Sequence, residues 1–426
     1  MDESRISPSI HRRNVVFLSL IEVFWGVGLG LVHTQAVVPA FLDELGASAT
    51  FIAAASVCWT VAFSLSQVFS GYFSERLARR KPVVIILHFL SPISWLAIFF
   101  VNRFFVTASA GHALGRWTVL VAMIPYGLLV GTLVPLYSAY ISAIVKEEKR
   151  AHTFGTVFAV QNICGAVTIY FLAHLMTGRA FPANYATLYL LGVVMITAGN
   201  FALLPTREVV RPFKVVRRSL GEYLKGLCSL LKEKRHLRRY LFARVFLVAN
   251  LALLFFFVKN AKVRFGLRGT DWARLFVVFL LMGQAVGNQV FGRLADKFGY
   301  RTAAVVGNTF AAGAAFVAAL APDVRAFLIA QAMVGFFLAA DWISHLNLLI
   351  GYAPVERRAH YIGLVNICVA PVLAVEMFVV GALFDAYNSL LVPACIFVPV
   401  AMVGVLLMAF FVPSARRVND VVEGAG

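Results

Sequence analysis

Gly292-Arg293-Leu294-Ala295-Asp296-Lys297-Phe298-Gly299-Tyr300-Arg301 forms a short charged turn between two long apolar runs. A looser copy stands at Gly71-Tyr72-Phe73-Ser74-Glu75-Arg76-Leu77-Ala78-Arg79-Arg80. The copies lie 221 residues apart (292 minus 71), about half of the 426-residue chain. A charged loop repeated at half-length implies a doubled bundle of membrane helices, an arrangement found mostly in transporters. A second pair supports the doubling: Glu148-Lys149-Arg150-Ala151-His152-Thr153-Phe154-Gly155 matches Glu356-Arg357-Arg358-Ala359-His360-Tyr361-Ile362-Gly363, 208 residues on (363 minus 155). The 13-residue difference between the offsets (221 minus 208) fits a longer loop near Arg103 to Arg116 in the first half.

Apolar residues make up 61% of the chain and charged ones 14%. Soluble domains hold roughly 45–50% and about 25%, so an integral membrane protein is expected. A crossing needs about 20 mostly apolar residues. Twelve runs qualify, at 15–42, 50–73, 83–104, 117–145, 154–178, 183–204, 241–263, 272–294, 302–320, 325–350, 359–383 and 388–412. The expected division is a six-helix bundle over 1–204, a basic linker over 205–240 and a second six-helix bundle over 241–426. The first apolar run is too long for a signal-peptide core and lacks a cleavage site, so it stays in the protein. The five cysteines have no paired spacing, which offers neither a disulfide framework nor a metal site.

The net charge of +18 resides in loops, where the positive-inside rule accounts for it without nucleic acid. With the N-terminus inside, the cytoplasmic connections hold Arg76, Arg79, Arg80 and Lys81, then Lys146, Lys149 and Arg150, then Arg293, Lys297 and Arg301, then Arg357 and Arg358. Asp43, Glu44, Asp323 and Asp385 fall on the outer side, and both termini are expected in the cytoplasm. One outer stretch is basic: Lys259, Lys262, Arg264, Arg268 and Arg274. It reads either as side chains snorkelling to headgroups or as an electropositive mouth for an anion. In the linker, Leu220, Tyr223, Leu224, Leu227, Leu230 and Leu231 recur at helical spacing among lysines and arginines. That pattern predicts a basic amphipathic helix on the anionic inner leaflet.

The chain resembles the major facilitator superfamily over almost its whole length. The motif after the second and eighth helices carries the resemblance: Gly292, Leu294, Ala295, Asp296, Lys297, Gly299 and Arg301 follow the family pattern closely. The first copy departs from it, with Glu75 for the usual Asp and Ala78 for the usual Gly. The resemblance implies an all-α membrane protein with twelve transmembrane helices in two pseudo-symmetric six-helix bundles. It also implies that Gly71, Glu75, Arg76, Arg79, Arg80, Gly292, Asp296, Lys297, Gly299 and Arg301 govern conformational gating rather than bind substrate. On physical grounds, Gly292 would let two helices approach closely, and Gly299 would take a turn conformation closed to other residues. The fourth helix lacks the buried arginine, and the fifth the Gly-Pro pair, of drug/proton antiporters. Leu204-Pro205-Thr206-Arg207-Glu208 does not match the sugar-porter pattern.

No catalytic constellation, phosphate-binding Walker loop or metal cluster stands in the sequence, so neither an enzyme nor a cofactor is expected. Energy would come from a solute or ion gradient. Ionisable and amide side chains inside the apolar runs are the candidates for substrate binding or coupling, because each is costly in lipid unless it faces a cavity or a partner. They are Glu22, Trp25, His33 and Gln35 in the first helix, Tyr137 in the fourth, and Gln161 and Asn162 in the fifth. Asp341 and His345 follow in the tenth, then Asn366 and Glu376 in the eleventh. Asp341 and His345 lie one turn apart on one face, so the pair can share a proton near physiological pH or, equally, form a satisfied structural pair that locks the tenth helix to a neighbour. Arg244 and Lys259, near the ends of the seventh helix, are expected to snorkel. Trp25, Tyr126, Tyr137, Tyr140 and Trp342 are placed on cavity-lining helices.

The function expected is secondary transport of a small organic solute by alternating access, with proton symport as one mode and uncoupled facilitation as another. A receptor or lipid-handling protein on the same scaffold is the reading from a different class. The partners are the solute, the bilayer and in one mode a proton. A monomer in a bacterial cytoplasmic (inner) membrane is expected.

Overall fold

The computed structural model describes residues 7–74, 76–106, 111–145, 147–175, 178–208, 219–267, 270–353 and 358–414. Glu75, Lys146, Arg268 and Arg357 lie outside the described residues, as do the rest of 354–357 and the linker residues 209–218. The architecture is all-helical. In order come α1 (Pro8–Leu31), α2 (Val37–Glu44), α3 (Ala49–Ser74), α4 (Lys81–Leu90), α5 (Ile93–Phe104), α6 (His112–Ile144), α7 (Glu147–Leu175) and α8 (Ala183–Asn200). After them come α9 (Leu220–Glu233), α10 (Arg235–Leu254), α11 (Phe257–Phe265), α12 (Thr270–Phe298), α13 (Tyr300–Leu320), α14 (Val324–Tyr352), α15 (Arg358–Tyr387) and α16 (Leu391–Phe410).

Among the described residues, eleven helical stretches are long and apolar enough to cross a membrane, and Val157–Phe171 within α7 supplies a shorter apolar one. Together these match the twelve runs expected from hydropathy. In lipid each backbone N–H and C=O must be satisfied within its own helix, which is why apolar length forecasts the crossings so well. Breaks inside the runs depend on local chemistry. The third run splits into α4 and α5 around Pro92, which has no N–H to continue the ladder. The first run is not continuous either. It ends at Leu31, and the His33 carbonyl then accepts the amides of Val37 (2.8 Å) and Val38 (3.1 Å), turning the chain into the short α2. The seventh begins six residues earlier than expected, at Arg235, and bends into α11 after Leu254.

The two bundles repeat one packing plan. In the first, α6 lies against α3, and in the second α14 lies against α12. Glycine permits the close approach in both: a Cβ on Gly131 would sit 2.2 Å from the Phe63 carbonyl oxygen, and one on Gly335 would sit 1.8 Å from that of Leu280. Seams between the halves run along α3 with α15 and along α7 with α12. Large apolar side chains such as Phe100, Trp117, Phe171, Val375 and Phe410 remain exposed around the outside, as a lipid-facing surface requires.

The gating loops correct one expectation. Among the described residues, a Cβ on Gly292 would meet nothing within 4 Å, so no close helix approach is served there. Gly299 does take the left-handed region expected of it (φ +86°) and starts α13. Gly71 is buried in α3, and the Arg76 guanidinium lies 3.9 Å over the Tyr72 ring. The Arg79 side chain is exposed. Glu208 binds the loop's far end by accepting the backbone N–H groups of Arg80 and Lys81 at 3.0–3.1 Å. In the second copy, Asp296 is exposed, Lys297 lies over the Phe298 ring, and Arg301 donates to the Val412 carbonyl at 3.1 Å.

Candidate functional site

Two polar clusters occupy matching places in the two halves. Glu22 lies nine residues before the end of α1 (31 minus 22), and Arg244 lies ten before the end of α10 (254 minus 244). Tyr137 and His345 each lie seven residues before the ends of α6 and α14. At about 1.5 Å per residue these are equivalent depths.

In the first half, Glu22 is 6% exposed. Its Oε1 accepts from the Tyr137 hydroxyl at 2.8 Å and its Oε2 from the Gln161 amide at 3.0 Å, so α1, α6 and α7 converge on one carboxyl group. Both named partners are neutral. An ionised carboxylate far from water is costly without a cation beside it, so taking up a proton relieves the site. Tyr137 and Gln161 also carry oxygen acceptors that can receive that proton's hydrogen bond once they turn.

In the second half, Arg244 grips Asp341 through both guanidinium nitrogens, Nη1 to Oδ1 and Nη2 to Oδ2, the latter at 2.8 Å. One turn along α14, His345 takes the Tyr240 hydroxyl at Nδ1 (2.5 Å) and the Asn366 Oδ1 at Nε2 (3.0 Å). The Asn366 amide nitrogen donates to the Gln67 Oε1 at 2.5 Å. That orientation makes Asn366 Oδ1 an acceptor, so His345 donates from Nε2 and receives the tyrosine proton at Nδ1: the neutral imidazole. The run Tyr240, His345, Asn366, Gln67 thereby links α10, α14 and α15 to α3 of the other half.

These contacts correct two expectations. Asp341 and His345 do not share a proton, since the Asp341 oxygens are taken by Arg244 and both imidazole nitrogens by Tyr240 and Asn366. Arg244 does not snorkel: at 7% exposure it is the buried partner of Asp341, because α10 starts early and carries it nine residues inward. Trp342 is half exposed. Other candidates make different contacts, though His88 also meets Tyr137 of the first cluster edge-on at 4.9 Å. Trp25 donates to Asn200 at 2.8 Å and packs edge-on to His88 inside the first half. Tyr126 packs on Trp95, and Tyr140 pairs with the Thr206 hydroxyl. His33 and Gln35 belong to the turn after α1, where the Gln35 amide donates to His33 Nδ1 at 3.3 Å. Asn162 is buried in α7, and Glu376 lies half-buried in α15 with Oε2 lacking a hydrogen-bond partner. Gln67 and Tyr240, absent from the sequence-based candidates, complete the cross-half chain. The only sequence signal for Gln67 was an amide inside an apolar run.

On the face opposite the chain termini, the basic stretch is an ion-pair clasp rather than a free mouth. Lys259 reaches Asp43 Oδ1 (2.9 Å) and the Ala47 carbonyl (2.9 Å), while Lys262 reaches Asp43 Oδ2 and Glu44 Oε1 (both 2.8 Å). Asp385 at the end of α15 also crosses the seam and caps α3, accepting from the Ala49 amide at 2.6 Å and the Thr50 amide at 2.8 Å. Burial alone would push the Asp43 carboxyl up, but the Lys262 and Lys259 ammonium groups outweigh it and hold it below the usual carboxylate range. A depressed value means the stabilisation is fully present above the unfolded carboxylate value, near 4, and is lost as pH falls through the lower folded value. Asp43→Asn should therefore lower stability by about 1–2 kcal/mol at neutral pH. Melting of wild type and variant from pH 8 to pH 3 should show the gap constant down to about pH 5 and closing in acid.

Solved structures share this fold. The human organic anion transporter MFSD10 superposes with a TM-score of 0.65 at 12% identity, covering 94% of this chain and 100% of its own. The nucleoside transporter NupG gives 0.70 at 11% identity, with 93% and 98% covered. The E. coli fucose:proton symporter FucP gives 0.63 at 13% identity, with the same coverages. At such identities the likeness establishes the fold alone. No curated protein matches the chain by sequence. The sequence profile of the Major Facilitator Superfamily, however, matches residues 20–283 and 262–425. Twelve apolar stretches, two halves meeting along α3/α15 and α7/α12, and that match over nearly the whole length make this chain a membrane transporter of the major facilitator superfamily.

Proposed function

We propose that this transporter moves a small organic solute by alternating access and couples the movement to protons through Glu22. The observation that carries the reading is the polar chain from Tyr240 through His345 and Asn366 to Gln67, which joins the two halves between apolar helices. A rocking motion must break and remake it, and a solute with hydrogen-bonding groups is the natural replacement for the lost partners. Glu22, buried and bonded to neutral donors, supplies the proton site. The moving bodies are taken as 1–204 and 241–426, joined by 205–240. The face of the termini, which carries Arg76, Arg79, Arg80, Lys81, Arg293, Lys297 and Arg301, is taken as cytoplasmic in a bacterial inner membrane, with the protein acting as a monomer.

The test begins with a solute found by thermal stabilisation of the purified protein, from a panel including uridine, fucose and benzoate. Uptake of that solute into vesicles should follow an imposed pH gradient and collapse with a protonophore. Uptake indifferent to the protonophore would overturn the coupling and leave a facilitator. Stabilising ligands that never cross would overturn transport and favour a receptor.

A further inference from the structure

Helix α9 touches both halves at once. Tyr223 on its inner side is 1% exposed. Its hydroxyl donates to the Val68 carbonyl of α3 at 3.2 Å, and its ring meets Tyr72 of α3 edge-on at 5.4 Å. The same ring lies 4.6 Å from that of His360 in α15. The helices it bridges are themselves close there, since a Cβ on Gly363 would sit 3.3 Å from Val68 Cα. Leu227 and Leu230 extend this buried side. Separation of α3 from α15 at this face therefore strips Tyr223 of one set of partners.

The other side of α9 is chemically different. Exposed Lys225 and Lys232 stand roughly opposite Tyr223 on the helix, Lys234 follows at its end, and Leu220 and Leu224 on the flank are exposed at 37% and 40%. Residues 219–240 hold six basic groups (Lys225, Lys232, Lys234, Arg235, Arg238, Arg239) against two acids (Glu222, Glu233), and the ten preceding residues add Arg211, Lys214, Arg217 and Arg218 with no acid. Exposed leucines beside a dense positive charge complement an anionic lipid surface. The helix is stiffened for such a role: a Ser219/Glu222 capping box closes its start, and Arg238 binds the Leu231 and Lys232 carbonyls at its end.

We propose that α9 is a lipid-held clasp: anionic inner-leaflet headgroups bind its basic side, and Tyr223 on the opposite side then holds the two halves together at the cytoplasmic face. This rests on the alternating-access reading and on that face being cytoplasmic. Anionic lipid biases the transporter toward the form closed on that side, by about fivefold for each basic group that meets the surface in that form and not in the open one.

The test uses the full chain with its five cysteines replaced by alanine, spin labels introduced through Ala78→Cys and Phe298→Cys, and nanodiscs of phosphatidylcholine with or without phosphatidylglycerol. Pulsed EPR should show a long-distance population at least about fivefold smaller with phosphatidylglycerol. Lys225→Gln/Lys232→Gln/Lys234→Gln should shrink that lipid response at least about fivefold while keeping the distribution seen in phosphatidylcholine. Tyr223→Ala should enlarge the long-distance population in both lipids. Distributions that shift between states but ignore lipid charge would overturn the clasp alone, as would a triple variant that responds as strongly as wild type or a Tyr223→Ala variant identical to wild type. A single fixed distance under every condition would overturn the alternating-access reading as well.

Discussion

Replacing Arg244 by methionine is expected to destabilise the folded protein by about 3–5 kcal/mol, because it leaves the Asp341 carboxylate buried without its cation. Removing both charges together, Arg244→Met with Asp341→Leu, should recover most of that loss: two well-packed apolar side chains carry no desolvation penalty. Thermal melting of the two single variants and the double variant forms the cycle that measures this. Additive losses in the double variant would mean that the bidentate contact between α10 and α14 is not an energetic unit. The same reasoning makes Asp341→Asn a poor probe of coupling, since it orphans the guanidinium and perturbs folding first.

Glu22→Gln is the cleaner probe and should have the largest effect on transport. Glutamine keeps the shape of the side chain and an acceptor for Tyr137 but cannot carry a proton. Accumulation driven by a one-unit pH gradient, up to about tenfold for one proton moved with a neutral solute, should fall to simple equilibration. Exchange of labelled for unlabelled solute across the same vesicles should continue, because it requires only the rocking motion. Undiminished accumulation in this variant would remove Glu22 from the coupling role. Loss of exchange as well would assign it to solute binding or to the fold.

Much of the fold was legible because lipid leaves so few solutions. A run of about 20 apolar residues with no water nearby must be helical, and loops repeated at offsets of 221 and 208 residues disclosed the doubling. The site was legible only in part. Glu22, Tyr137 and Gln161 stood out as polar groups in apolar runs, and they do converge. Asp341 and His345 were also evident, yet reading them as partners of each other failed. Four residues apart on α14 they share a face, but nearness along a helix does not outrank a guanidinium and a phenol arriving from α10.

The amino-acid order by itself determined the membrane class, the number of crossings, the repeat and the list of costly buried groups, since each follows from local hydropathy and spacing. Only the tertiary structure decided who meets whom: Arg244 with Asp341, Gln67 with Asn366, Lys259 and Lys262 with Asp43 and Glu44, and Tyr223 with both Val68 and His360. A charge or an amide in a sequence states only what it will cost to bury. Which group offsets that cost is settled when helices from distant parts of the chain pack side by side.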